Sequence, residues 1–333
     1  MRFFVLEWQN AIDAARVPLA KFLNAPAERL AFVQNVTTGV AIALASTKIE
    51  AGDELLTTDH AYRATKNQLV RIAEERGARV VVAALPLPFD ADAAVDAILG
   101  AVTERTRVVL LDHITSATAL VLPIERIVPA LAARGVTTIV DGAHAPGQIA
   151  LDIDALLALG VTWYAGNNHK WLCAPKGSGF IVGAAPPRPV VVSHGGSPEY
   201  GPANRFHAEL DWPGQHDPSS HLAVRTAIEQ FDWPQVLVRN HALAIESRTR
   251  LSAALGASTI CDDDALGTMA AVPIAISGKP LDLERRLLAE GWEVPIPSTA
   301  SGPFVRISAH VYNHAGEADA LAEKLRSLGV TGR

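Results

Sequence analysis

Two short stretches of this sequence place reactive side chains where an apolar run stops. In Val140-Asp141-Gly142-Ala143-His144-Ala145-Pro146-Gly147 an acid closes the run and small residues follow. In Trp163-Tyr164-Ala165-Gly166-Asn167-Asn168-His169-Lys170-Trp171-Leu172 the run gives way to polar residues and then to a lysine flanked by aromatics. Each group has a plain structural reading: a lone aspartate caps the next helix, His144 fills a packing position, and a lysine among rings lays its stem along them. If Lys170 is desolvated, however, its pKa falls and its amine becomes a nucleophile toward carbonyl groups.

The elements that must hold these groups follow from hydrophobic spacing. Helical periodicity covers 11–23, a short buried strand 30–33, and a helix opens near Thr37. Strands at 54–57, 79–85, 106–112 and 136–141 then alternate with helices at 61–76, 91–102 and 124–134. Apolar, β-branched runs separated by helices require a mostly parallel sheet covered on both faces, with ligands bound at the carboxyl ends of its strands. The fold class expected is α/β: a three-layer α/β/α large domain over 1–234 and a smaller α+β domain over 235–333. Pro and Gly make 184–214 read as loops, and helices follow at 219–231 and 235–255. The smaller domain has strands at 271–276 and 304–308 and helices at 281–291 and 316–328.

Composition excludes several partners. The net charge of −6, without a block of Lys or Arg, argues against nucleic acid. The N-terminal apolar stretch is too short for a signal peptide, and no apolar run approaches the roughly 20 residues a bilayer requires. Two cysteines far apart, Cys173 and Cys261, fit a reducing compartment, hence a cytoplasmic location. No metal is expected: His-Glu-x-x-His is absent, and Asp141, His144, His169 and His113 form no recognised ligand spacing. Asp262-Asp263-Asp264 reads as a solvated turn, and Lys176 to Ser178 as a turn into a strand rather than a phosphate-binding loop.

Taken together, the two reactive stretches resemble the class V aminotransferase family, with its Asp-x-Ala-(His or Gln) followed by His-Lys, and come close to its isopenicillin N epimerase-like branch. Further matching pieces are Asn35-Val36-Thr37-Thr38-Gly39, Asp59-His60-Ala61-Tyr62, His113-Ile114-Thr115-Ser116, Ala174-Pro175-Lys176-Gly177-Ser178-Gly179 and Arg306-Ile307-Ser308-Ala309-His310-Val311-Tyr312-Asn313. The resemblance runs through nearly the whole chain and implies a pyridoxal 5'-phosphate (PLP) enzyme of fold type I, acting on an amino acid as a homodimer. Lys170 would hold the cofactor as a Schiff base and shuttle the proton at the substrate α-carbon. Asp141 would keep the pyridine nitrogen protonated, and His144 would contact the ring hydroxyl. Thr37 and Thr38 open a helix and would bind the phosphate, with Asn168 and His169 adding donors. Tyr62 would stack on the ring, with His60 as second choice; Ser116 falls in another cofactor-side piece; Arg306 would grip the substrate carboxylate.

Three departures qualify the likeness. Family members carry several tens of residues before the point matching Arg2-Phe3-Phe4, including an Asn- and Gly-containing pocket stretch, which puts activity in question. Gln215 stands where a Thr normally reaches the neighbouring subunit's phosphate, and Ala119 where a Gly is common. A desulfurase thiolate is disfavoured because no Cys lies between Cys261 and Arg306. Epimerisation, C–S or C–N cleavage and transamination stay open, as do a silent relative and, from another class, a metallohydrolase.

Overall fold

The alternating pattern resolves into two sheets in the computed structural model, which describes residues 2–188, 191 and 205–333. The first part of the chain runs α1 (Trp8–Phe22), β1 (Leu30–Val33), α2 (Val36–Ala45), β2 (Glu54–Thr58), α3 (Arg63–Arg76), β3 (Arg79–Ala83), α4 (Ala91–Gly100), β4 (Thr106–Asp112), α5 (Ile124–Ala132), β5 (Thr137–Gly142), α6 (Ile153–Leu159), β6 (Val161–Asn167) and β7 (Gly179–Gly183). Then come α7 (Arg205–Leu210), α8 (Ser219–Leu222), α9 (Val224–Glu229), α10 (Trp233–Leu255), β8 (Met269–Ala275), α11 (Pro280–Ala289), β9 (Ser298–Thr299), β10 (Gly302–Ser308), α12 (Gly316–Ser327) and β11 (Thr331–Gly332).

Seven strands form the large sheet in the order β1-β7-β6-β5-β4-β2-β3, with β3, β2, β4, β5 and β6 parallel and β7 antiparallel to both its neighbours. The strand period of two assigns the faces. Val140 and Tyr164 pack with α1, α5 and α6, whereas Ile139, Trp163 and Ala165 pack with α2, α3 and α7. All three layers are therefore present, as the α/β pattern predicts. The small sheet, β11-β8-β10-β9, is antiparallel throughout. One of its faces, with Ala271 and Phe304, joins the large core, and the other, with Val272 and Val305, packs on α10 and α12.

Three expectations change. The region read as loops over 184–214 contains α7, where Phe206 and Leu210 are buried under the sheet; 189–190 and 192–204 lie outside the described residues. The helix expected over 219–231 is two, α8 and α9, broken at Ala223. The helix expected from 61 starts at Arg63, because Tyr62 is extended (ψ 131°) and its N–H turns to Asp112. Among the described residues no helix is long and apolar enough to cross a membrane.

Candidate active site

The carboxyl ends of β4, β5 and β6 converge on one buried cluster. Asp141 lies in the penultimate position of β5, opposite Asp112 on β4 and Ala165 on β6. Its Oδ1 accepts the Ala143 N–H at 3.0 Å, and the Thr65 hydroxyl of α3 also faces it. Its Oδ2 is buried with no partner among the described residues. Burial raises the Asp141 pKa, while the Ala143 N–H and the Lys170 charge act against that rise.

Lys170 follows β6 in a tight turn, with the Cys173 N–H bonded to its carbonyl. Two features bring this turn to the segment after β5. Gly147 has φ +83°, and a side chain there would sit 2.9 Å from the Trp171 carbonyl carbon; Gly142 leaves room for the Tyr164 ring. Lys170 Nζ lies 3.0 Å from His144 Nε2, and Trp171 Nε1 donates to His144 Nδ1 at 3.4 Å. An indole N–H is a donor only, so His144 Nδ1 is the acceptor and, in the neutral ring, Nε2 carries the proton. The Nε2–H then points at a Lys170 nitrogen that must offer a lone pair. The electrostatics agree: burial lowers the Lys170 pKa to about 8 against the pull of Asp141, and burial together with Lys170 holds His144 well below the usual imidazole value. A neutral amine is thus accessible near neutral pH.

Around this centre the other sequence-predicted residues take defined places. Asn35 caps α2, and its Oδ1 accepts both the N–H and the hydroxyl of Thr38, while Asn167 Oδ1 accepts the Val36 N–H. Thr37 is half-buried, and its carbonyl accepts from Gln68. Asn168 Nδ2 donates to Ser178 Oγ at 3.1 Å, and His169 Nδ1 donates to the Ser178 carbonyl at 2.6 Å, so Ser178 organises both. Arg306 on β10 reaches across from the small sheet: its Nη1 donates to the carbonyl and, at 3.2 Å, to the hydroxyl of Ser116, while Nε is buried and unpartnered among the described residues. Tyr62 is 43% exposed at the start of α3, and His60 is buried with Nδ1 2.9 Å from Thr118 Oγ1. Gln215 is exposed in the loop before α8.

The groups of the metal reading do not converge. His113 Nδ1 meets the Tyr164 hydroxyl at 2.9 Å, His169 faces Ser178 and His144 faces Lys170; among the described residues no three His, Cys, Asp or Glu side chains gather as a ligand set. The donor set fits PLP instead. The orphaned Asp141 Oδ2 suits a protonated pyridine nitrogen, and a buried amine of lowered pKa suits an aldehyde. Sequence reasoning missed Asp112, Thr65, Ser178 and the tautomer-setting role of Trp171. Asp112 carries the same signal as Asp141, an acid closing an apolar strand.

Comparison with known proteins places the chain in a family. The family model for aminotransferase class V matches residues 4–196. The chain is 35% identical to isopenicillin N epimerase of Amycolatopsis lactamdurans, across 98% of this chain and 87% of that one, and 27% identical to a probable chloroplastic L-cysteine desulfhydrase of Arabidopsis thaliana, across 98% and 76%. In fold it is similar to a mutant of C-DES with glycine covalently linked to its PLP cofactor (TM-score 0.81, 20% identity, 96% of this chain and 86% of that chain). It is also similar to the cysteine desulfurase CsdA of Escherichia coli (TM-score 0.79, 19% identity, 96% and 84%). The chain belongs to the class V aminotransferase family of PLP-dependent enzymes.

Proposed function

We propose that this protein is an isopenicillin N epimerase-like enzyme that moves a proton at the α-carbon of an amino-acid substrate, with Lys170 as the residue joined to PLP. The observation that carries the reading is the Lys170 amine on His144 beside a buried carboxylate whose Oδ2 lacks a partner among the described residues. When bound, PLP supplies an electron sink conjugated to the substrate α-carbon. The protein's own groups do the rest. Asp141 holds a proton on the pyridine nitrogen, and His144 orients the Lys170 amine through its Nε2–H and contacts the ring hydroxyl. Lys170 would take the α-proton from one face once freed from the cofactor, and epimerisation requires a second proton donor on the opposite face. Arg306 grips the substrate carboxylate through the guanidinium edge containing Nε. Tyr62 or His60 covers the ring, and Thr37, Thr38, Asn168 and His169 hold the phosphate. Gln215 reaches the phosphate of a second copy in a homodimer.

The division at 234/235 follows the change from parallel to antiparallel sheet, although the first turns of α10 pack with the large core through Trp233 and Val236. Free Cys173 and Cys261 support a cytoplasmic location. Epimerisation is preferred because the 35% and 32% identical relatives are isopenicillin N epimerases, against 28% and 27% for the desulfhydrases. Similarity to those desulfhydrases supports C–S cleavage as the second reading. Borohydride reduction, digestion and mass spectrometry should place a pyridoxyl group on the Lys170 peptide. In deuterated water, an epimerase exchanges the α-proton and yields both enantiomers, whereas a lyase releases sulfide, ammonia and a keto acid. A pyridoxyl group on another lysine, or none, sinks the reading.

A further inference from the structure

Asp112 has no part in the chemistry above, yet it closes β4 directly opposite Asp141. Their Cα atoms are therefore about 5 Å apart and their side chains leave the same face of the sheet. Each residue is only 2% exposed. Asp112 Oδ2 accepts the Tyr62 N–H at 3.2 Å, the Ser116 N–H is a second donor, and Oδ1 is buried without a partner among the described residues. Two ionised carboxylates this close at buried positions repel strongly, so the pair retains a proton.

The surroundings decide which member holds it. The groups facing Asp112 are Asp141 from β5, Lys170 from the turn after β6, the Tyr62 N–H before α3 and the Ser116 N–H after β4. Burial and the Asp141 charge push Asp112 well above the usual carboxyl range, and these outweigh both N–H groups and the lysine. Burial raises Asp141 as well, but the Lys170 charge interacts more strongly with Asp141 than with Asp112, and the Ala143 N–H at 3.0 Å and the Thr65 hydroxyl also favour its charged form.

We propose that Asp112 is a positioning residue, the neutral, proton-bearing member of the carboxyl pair, which ties the Tyr62 turn to the Ser116 loop and leaves the negative charge on Asp141. Its place matters twice. The Ser116 loop accepts from Arg306, so one carboxyl links the turn that covers the cofactor ring to the guanidinium that holds the substrate. A neutral Asp112 also leaves Lys170 with a single carboxylate neighbour, which keeps the amine easier to deprotonate. The reaction assigned to the site rests on the proposed function, but the proton on Asp112 is present in cofactor-free protein.

The test compares wild type with Asp112→Asn, both cofactor-free, at neutral pH. The amide keeps an acceptor for the two N–H groups and puts N–H where O–H stood. Infrared difference spectra should show a protonated carboxyl band lost in the variant. The pH midpoint for Lys170 modification by an amine reagent should stay within a few tenths of a unit. If both carboxyls are instead ionised, no such band is lost and removing one charge lowers the midpoint by about one unit, tenfold in the ratio of neutral to charged amine. If Asp141 is the proton carrier, Asp141→Asn removes the band, whereas a proton on Asp112 keeps it there; either contrary result overturns the proposal. Asp112→Ala, where it folds, should raise KM more than it lowers kcat in loaded enzyme, because Arg306 loses its anchor; the infrared result with Asn decides the matter if it does not fold. Failure of the PLP reading shows separately, as absence of pyridoxyl on Lys170, and moves neither cofactor-free measurement.

Discussion

Trp171 fixes the tautomer of His144. Its indole N–H donates to His144 Nδ1 at 3.4 Å, which leaves the imidazole proton on Nε2, 3.0 Å from Lys170 Nζ. A lysine ammonium facing an N–H would meet a donor with a donor, so the contact favours the neutral amine. The residue after Lys170 thus acts on it through a histidine 26 positions earlier in the chain.

Replacing Trp171 with Phe keeps the ring and removes the donor. His144 is then free to place its proton on Nδ1 and accept from a protonated Lys170 through Nε2. The Lys170 pKa, held near 8 by burial, should rise by roughly half a unit to one unit, equivalent to about 1 kcal/mol. The sign is clear for a cation: a new acceptor stabilises the charged form, and the pH midpoint of amine modification moves up. A midpoint that does not move removes Trp171 from this role.

Arg306→Lys keeps the charge and loses the planar fork. A lysine cannot both hold Ser116 and present a second edge to a carboxylate. Loss of charge-assisted hydrogen bonds of about 1.5–3 kcal/mol should raise KM for amino acids roughly 10- to 100-fold, with a smaller change in kcat. Steady-state kinetics with an amino acid and its decarboxylated amine separate the roles. The variant should discriminate less between them, and equal discrimination in both proteins would exclude a carboxylate contact.

Gly147→Ala tests how the two reactive segments are held together. The backbone is left-handed there, φ +83°, and the added carbon would meet the Trp171 carbonyl at 2.9–3.0 Å. Strain and overpacking together should cost about 2–4 kcal/mol. Trp171 must shift, so the Lys170 environment changes too. Denaturant unfolding checks the stability loss, and the Lys170 titration midpoint checks the shift.

The elements around this site were legible because their signals are local. Leu30–Val33 and Thr106–Asp112 occupy the strands that β-branched and apolar runs predict, and Asp141 and Lys170 meet because parallel strands put all their carboxyl ends on one edge. What escaped depends on long-range contacts. α7 is a helix because Phe206 and Leu210 find a sheet to cover, a partner that nothing within the Pro- and Gly-rich segment announces. Asp112 ends a strand as Asp141 does, but its meaning comes from register, which pairs it with Asp141 and which residue types do not reveal. Ser178 likewise looks like part of a turn until Asn168, His169 and His221 are seen to converge on it.

Glu54 is fully buried at the start of β2, where its carboxylate accepts from Thr103, Arg79 and Arg105. The Thr103 hydrogen bond, then those from the two arginines, lower its pKa from 4.5 to about 2 against desolvation. A carboxyl group whose pKa is depressed on folding contributes stability that is present above its unfolded pKa and lost as pH falls through the folded value. The arginines are 60% and 63% exposed, so solvent screening reduces the contribution to about 1 kcal/mol. Glu54→Gln should therefore be less stable than wild type at pH 7, and the difference should shrink between pH 4.5 and about 2 as wild type loses its charge. Urea unfolding across this range reads the difference directly. A gap that stays constant with pH would show that Gln disturbs packing alone and that the charge of Glu54 contributes nothing to stability.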